Sequence, residues 1–128
     1  MKNTLFRLLL LTGFGLLTNF APPEKQGTNA ALVGKWSKDP NAVWEFRADR
    51  SYTMSMADGK ASISGTYSVR GNMLMLSDLS ATGQAKACDA SQKGFYIFAA
   101  DSYTLTLSTQ NDDCPARNRL VPGTYNRK

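Results

Sequence analysis

The sequence contains no histidine, only two cysteines, and no unbroken apolar stretch long enough to span a bilayer. Without an imidazole the chain cannot build a Ser-His-Asp triad, a Cys-His dyad or a His-ligated zinc site, because each relies on a side chain that exchanges protons or binds metal near neutral pH. The carboxylates offer no substitute. Asp39, Asp49, Asp58, Asp78, Asp101, Asp112 and Asp113 fall almost entirely at expected turns, where Asp has ordinary structural reasons to occur, and only Glu45 lies mid-strand. No pair can be placed facing across a cleft from the sequence, so acid–base catalysis has no named candidates and the chain is not expected to be an enzyme. No cofactor and no metal are implied. At 128 residues the chain holds one domain rather than two.

The one long apolar segment is N-terminal. Lys2 and Arg7 precede the run Leu8 to Ala21, whose 14 residues are interrupted by Gly13 and Gly15. That length is short of the ~20 residues a membrane-spanning helix needs. It fits the apolar core of a secretory signal, so residues 1–21 are expected to be a signal peptide cleaved near Ala21 and the protein to be secreted or periplasmic. The first cysteine is Cys88, which excludes a lipid-anchored product. Losing Lys2 and Arg7 reduces the Lys+Arg count from 15 to 13 against 10 Asp+Glu, a balance of +3. The remaining basic residues are scattered apart from Arg117, Arg119, Arg127 and Lys128. They read as a solvated surface, not as a stripe for nucleic acid.

Residues 22–31, with Pro22, Pro23 and Gly27, have no periodicity and read as a flexible leader. From Leu32 onward the chain turns into short runs rich in Val, Ile, Thr and aromatics, separated by turn residues. These runs predict strands at Leu32–Ser37, Ala42–Ala48, Ser51–Ala57, Ala61–Val69, Met73–Ser77, Phe95–Ala99, 103–108 and Leu120–Arg127. Several alternate strictly: Tyr52, Met54 and Met56 against Thr53 and Ser55, and Tyr103, Leu105 and Leu107 against Thr104, Thr106 and Ser108. Asp58-Gly59 is a strong hairpin signal. A short helical turn is expected only within the polar segment Leu79 to Lys93.

Eight consecutive strands with mostly tight turns predict an all-β, antiparallel up-and-down β-barrel over residues 32–128, because closure removes the exposed edges of a long meander. Only Leu79–Lys93 and Gln110–Asn118 are long connections, and each carries a cysteine. In an oxidising compartment Cys88 and Cys114 are expected to form one disulfide tying these loops together at one barrel end. The closed loop of 26 residues is worth roughly 3 to 4 kcal/mol by chain entropy. Gly-x-aromatic triplets recur at Gly34, Gly65, Gly94 and Gly123. They read as a local device in which glycine allows sharp coiling and the aromatic covers the gap.

Gly34-Lys35-Trp36, Trp44-Glu45-Phe46, Gly65-Thr66-Tyr67 and Gly123-Thr124-Tyr125-Asn126-Arg127 resemble the pattern of bacterial exported lipocalin-like domains. The resemblance implies that Trp36 closes one end of the barrel and that Arg127 packs across it in a cation–π contact. The Thr-Asp signature of true lipocalins is absent. The chain is also similar in size, strand number and single disulfide to exported bacterial inhibitors of metalloproteases. That likeness implies a solid scaffold acting through residues 22–31.

An eight-stranded barrel is either filled by its own side chains or holds one small ligand. The inward faces are expected to carry Trp36, Trp44, Phe46, Tyr52, Met54, Met56, Ile63, Tyr67 and Val69, followed by Leu74, Leu76, Tyr103, Leu105 and Leu107. A hydrophobic ligand would meet Trp36, Trp44, Phe46, Tyr52, Met54, Ile63, Tyr67, Tyr103 and Leu105, with the tyrosine hydroxyls to orient it. A cavity of at least ~300 Å³ favours this ligand-binding monomer, whereas a filled core favours the protein-contact scaffold. Met54/Met56 and Met73/Met75 have the spacing of Cu(I) sites, but alternation puts the two pairs on opposite faces of the wall.

Overall fold

A computed structural model describes residues 29–128. The expected signal peptide and residues 22–28 of the expected leader lie outside the described residues. The chain runs through β1 (Gly34–Asp39), β2 (Ala42–Phe46), β3 (Ser51–Met56), β4 (Ala61–Arg70), β5 (Met73–Thr82), β6 (Gly94–Ala100), β7 (Thr104–Asp112), helix α1 (Pro115–Leu120) and β8 (Gly123–Arg127). Each strand pairs antiparallel with the next, and β8 returns to β1 through Trp36↔Arg127 and Ser37↔Asn126, closing an eight-stranded barrel. The expected all-β up-and-down architecture is the one observed, and it is compatible with a lipocalin-like barrel.

Period-two alternation sets the wall. In β3 Tyr52 and Met54 are buried, and in β7 Leu105 and Leu107 are buried between exposed threonine and serine neighbours. Register carries one inward row across the wall, Trp36 to Trp44 to Met54 to Ile63. Asp58 and Gly59 adopt left-handed φ values of 56° and 84°, the backbone that a tight β3–β4 turn requires. Met73 and Met75 alternate with the buried Leu74 and Leu76, so they lie on the face opposite Met54.

Three expectations are corrected. The Leu79–Lys93 segment holds no helix: β5 continues to Thr82 because Ser80, Ala81 and Thr82 pair with Ser64, Ile63 and Ser62 beyond a bulge at Ser64/Gly65. The helix lies at Pro115–Leu120, where Pro115 fits an N-terminal helical position, and β8 accordingly begins at Gly123 rather than Leu120. Tyr103 does not point inward. The Asp101 carboxylate accepts the backbone N–H groups of Tyr103 and Thr104, both at 2.7 Å, so residue 103 stays in the turn and is 79% exposed.

One barrel end is plugged. A helical turn at Asn29–Ala31 leads into the fully buried Leu32, whose carbonyl accepts the Trp36 indole N–H at 2.8 Å. Arg127 lies with its guanidinium carbon 4.1 Å from the Trp36 ring centroid and donates to the carbonyls of Ser102 (2.9 Å), Val33 (3.1 Å) and Ala31 (3.4 Å). Asn29 donates to the Tyr67 hydroxyl at 3.1 Å, which in turn donates to the Arg47 carbonyl at 2.6 Å. The ends of a barrel have no ladder partners, and here side chains satisfy the stranded carbonyls instead. Replacing Arg127→Ala removes the cation–π contact and three hydrogen bonds and is expected to cost about 1–2 kcal/mol in urea unfolding. Arg127→Lys should recover only part of that loss, since an ammonium cannot stack and fork at once. An unchanged unfolding midpoint for Arg127→Ala would contradict this account of the closed end.

Candidate functional site

The opposite end is organised by a buried cation. Arg117, on α1, is 4% exposed. Its Nε donates to Asp112 Oδ2 at 2.8 Å, its Nη2 to Asp112 Oδ1 at 2.9 Å and to the Gln92 carbonyl, and its Nη1 to Asp78 Oδ1 at 3.2 Å. Each carboxylate accepts two further donors. Asp78 takes the Tyr52 hydroxyl and the Cys88 backbone N–H (2.8 Å), and Asp112 takes the Tyr96 hydroxyl and the Cys114 backbone N–H (2.9 Å). Among the described residues, every buried side-chain nitrogen and oxygen has a partner.

Two glycines make the cluster possible by leaving space. Tyr52, Gly65 and Asp78 lie side by side across β3, β4 and β5. A Cβ on Gly65 would sit 2.6 Å from the Tyr52 hydroxyl oxygen, so only glycine lets that phenol cross to Asp78. Gly94 pairs with Asp112 across β6 and β7, and a Cβ there would come within 2.9 Å of Arg117 Nε. The glycines of the Gly-x-aromatic triplets at 65 and 94 thus serve the polar cluster, a role beyond sheet coiling.

The environment moves the proton affinities. Burial pushes the Tyr52 and Tyr96 phenols up, reinforced by the carboxylates they face. For Asp112, burial acts upward, but hydrogen bonds from Arg117 and Tyr96 outweigh it and hold the carboxyl below the usual range. For Arg117, burial acts downward and is overcome by Asp112 and Asp78, so the guanidinium stays charged.

The Cys88–Cys114 disulfide joins the β5–β6 loop to the residue preceding α1, with Cα atoms 6.0 Å apart. The expected pairing of the two long connections is therefore present. Above the cluster lies a cavity of about 320 Å³. Trp44, Met54, Met56 and Ile63 form its barrel wall, Leu120 and Val121 its α1 side, Tyr52, Asp78 and Arg117 its floor, and Gln84, Ala85, Lys86 and Cys88 the loop side.

The barrel is thus filled at one end and hollow at the other. Of the residues expected to meet a ligand, Trp44, Tyr52, Met54 and Ile63 line the cavity. Trp36, Phe46, Tyr67 and Leu105 are buried in the packed core away from it, where Phe46 and Tyr67 meet edge-on with centroids 5.1 Å apart. Tyr103 is outside the barrel altogether. Asp78, Arg117, Leu120 and Val121 were not anticipated. Asp78 lies within β5 and Asp112 ends β7, both in a buried ion cluster and not in solvated turns, and Arg117 is part of no solvated surface. The readable signal was the pairing of Gly65 and Gly94 with aromatic neighbours, which marks a wall a side chain crosses. Among the described residues no group of His, Cys, Asp or Glu is arranged to hold a metal ion, and no helix is long and apolar enough to cross a membrane. The residues 22–28 through which an inhibitor-like scaffold would act lie outside the described residues, while Asn29–Ala31 packs onto the closed end.

Fold and site together define a closed β-barrel with an ion-clamped cavity at one end. No protein-family model, curated protein or solved structure matches this chain.

Arg117→Met leaves two buried carboxylates uncompensated and is expected to cost about 3–5 kcal/mol in denaturant unfolding, part of which the triple variant with Asp78→Asn and Asp112→Asn regains. A loss below ~1 kcal/mol for the single variant would sink the clamp. In pH titrations of stability, the folded Asp112 binds its proton less tightly than the unfolded chain does, so its contribution is present above the ordinary value of 3.8 and lost as pH falls through the lower folded value. Tyr52 and Tyr96 bind theirs more tightly when folded, so their contribution is present below 10.0 and lost as pH rises beyond it. The melting temperature should therefore decline at both extremes, with Asp112→Asn flattening the acid limb and also softening the alkaline one, because Tyr96 loses the carboxylate that reinforces its upward shift.

Proposed function

We propose that this protein binds a small, mainly apolar molecule in the cavity between the barrel wall and α1, and does so outside the cytoplasm. The observation that carries the reading is the cavity itself. Its 320 Å³ falls at the lower end of the ~300–1,000 Å³ of small-molecule sites, and its walls combine aromatic, thioether and aliphatic side chains over a polar floor. The disulfide supports an oxidising location. The reading assigns binding and no catalysis, since the cluster's polar groups are paired with one another and not aimed at a reacting atom.

Trp44 lines the cavity and Trp36 lies outside it, so a Trp36→Phe protein carries its remaining indole at the site. Titrating that protein with fatty acids, retinoids and haem is expected to give a saturable change in Trp44 emission for at least one class. Ile63→Phe, which fills the cavity from β4, should weaken that binding by about tenfold, or ~1.4 kcal/mol. A flat response across the panel, with the variant still folded, would remove the proposal.

A further inference from the structure

We propose that the cavity selects amphiphiles by head group, holding an alkyl tail inside and an anionic head at the mouth against Lys86. The inference rests on the ligand-binding reading above. At the floor every buried polar side-chain atom already has a partner within the protein. The Tyr52 proton goes to Asp78. Both Asp78 oxygens already accept, from Tyr52, Arg117 and the Cys88 N–H, and Arg117 is engaged by Asp112, Asp78 and the Gln92 carbonyl. A polar head placed there gains little hydrogen bonding and loses its water.

An anionic head at the floor would also face two carboxylates against one guanidinium, a cluster of net negative charge. It is repelled from the interior. The mouth is different: Gln84 and Lys86 are exposed, and among the described residues Lys86 is the only charged cavity-lining side chain that is not buried. Its ammonium meets a carboxylate, sulfate or phosphate head while water still solvates both charges. Trp44, Met54, Met56, Ile63, Leu120 and Val121 are left to enclose the tail. The arrangement therefore opposes a cationic head at Lys86, gives a quaternary ammonium at the floor no hydrogen bond to replace its lost water, and leaves a neutral head without the attraction of Lys86.

The test compares three probes with one tail, decanoate, decanol and decyltrimethylammonium, binding to the Trp36→Phe protein by Trp44 fluorescence and calorimetry. Decanoate is expected to bind tightest, decyltrimethylammonium weakest, and only decanoate should weaken as salt is raised. Lys86→Glu is expected to lower the decanoate-to-decyltrimethylammonium affinity ratio by about tenfold while decanol changes less than about twofold. Lys86 is exposed, so this variant keeps the fold, which its unfolding midpoint checks. A ratio unmoved by Lys86→Glu, or decanol or the cation binding as tightly as decanoate, overturns the head-group placement and leaves the cavity reading standing. Binding by none of the three, alongside a flat response to the wider ligand panel, overturns both.

Discussion

A guanidinium moved out of water loses hydration worth several kcal/mol, and Arg117 has only 4% of its surface exposed. The loss is offset because two carboxylates and a backbone carbonyl surround it, and because each carboxylate is itself held by a tyrosine hydroxyl and a backbone N–H. These partners come from β3, β5, β6, β7 and both cysteine-bearing segments. A helix of six residues cannot hold itself together in water, so α1 owes its place to this ion cluster and to the disulfide beside it. The same is true of the β5–β6 loop, whose Gln92 carbonyl and Cys88 N–H are both bound into the cluster. Both non-barrel walls of the cavity are thus anchored on one ion cluster with the disulfide beside it.

The two ends of the barrel solve the same problem with different chemistry. At the plugged end Arg127 gathers backbone carbonyls and stacks on Trp36 while remaining in contact with solvent. At the cavity end the arginine is fully withdrawn, and carboxylates replace carbonyls because a buried charge must be neutralised. The difference explains where free volume survives. The plugged end is completed by apolar packing from Leu32 and Trp36, whereas at the other end the long connections arch over the strands and leave the space between.

How much of this the sequence disclosed follows from the range of the interactions. The wall was legible because alternation is a local property: Tyr52 and Met54, or Leu105 and Leu107, announce their face within a few residues. Closure was legible through Trp36 and Arg127, whose resemblance to a known pattern placed them together. The ion cluster was not, because Asp78 and Arg117 are 39 positions apart and each looks ordinary in its own neighbourhood, one like a turn residue and the other like part of a basic tail. Helix α1 is too short to show a period. Tyr103 misled because alternation continues in the sequence one residue beyond where the Asp101 turn ends it in space. The residues expected in the cavity split the same way: Trp44, Tyr52, Met54 and Ile63 share a wall, but which end of that wall is open depends on loops with no periodic signal.

The seam between β1 and β8 sets the order in which the barrel can be completed. Arg127 bonds the carbonyl of Val33 across 94 positions of chain, so β1 has one unpaired edge until the last strand docks. An edge left open through most of folding invites pairing with another chain. β1 carries Lys35, Lys38 and Asp39 along its six residues, and charges of this kind discourage such intermolecular pairing. In the closed barrel Lys38 donates to the carbonyls of Leu120 and Pro122, at 3.1 Å each, so a residue whose charge discourages edge pairing also fastens the closure.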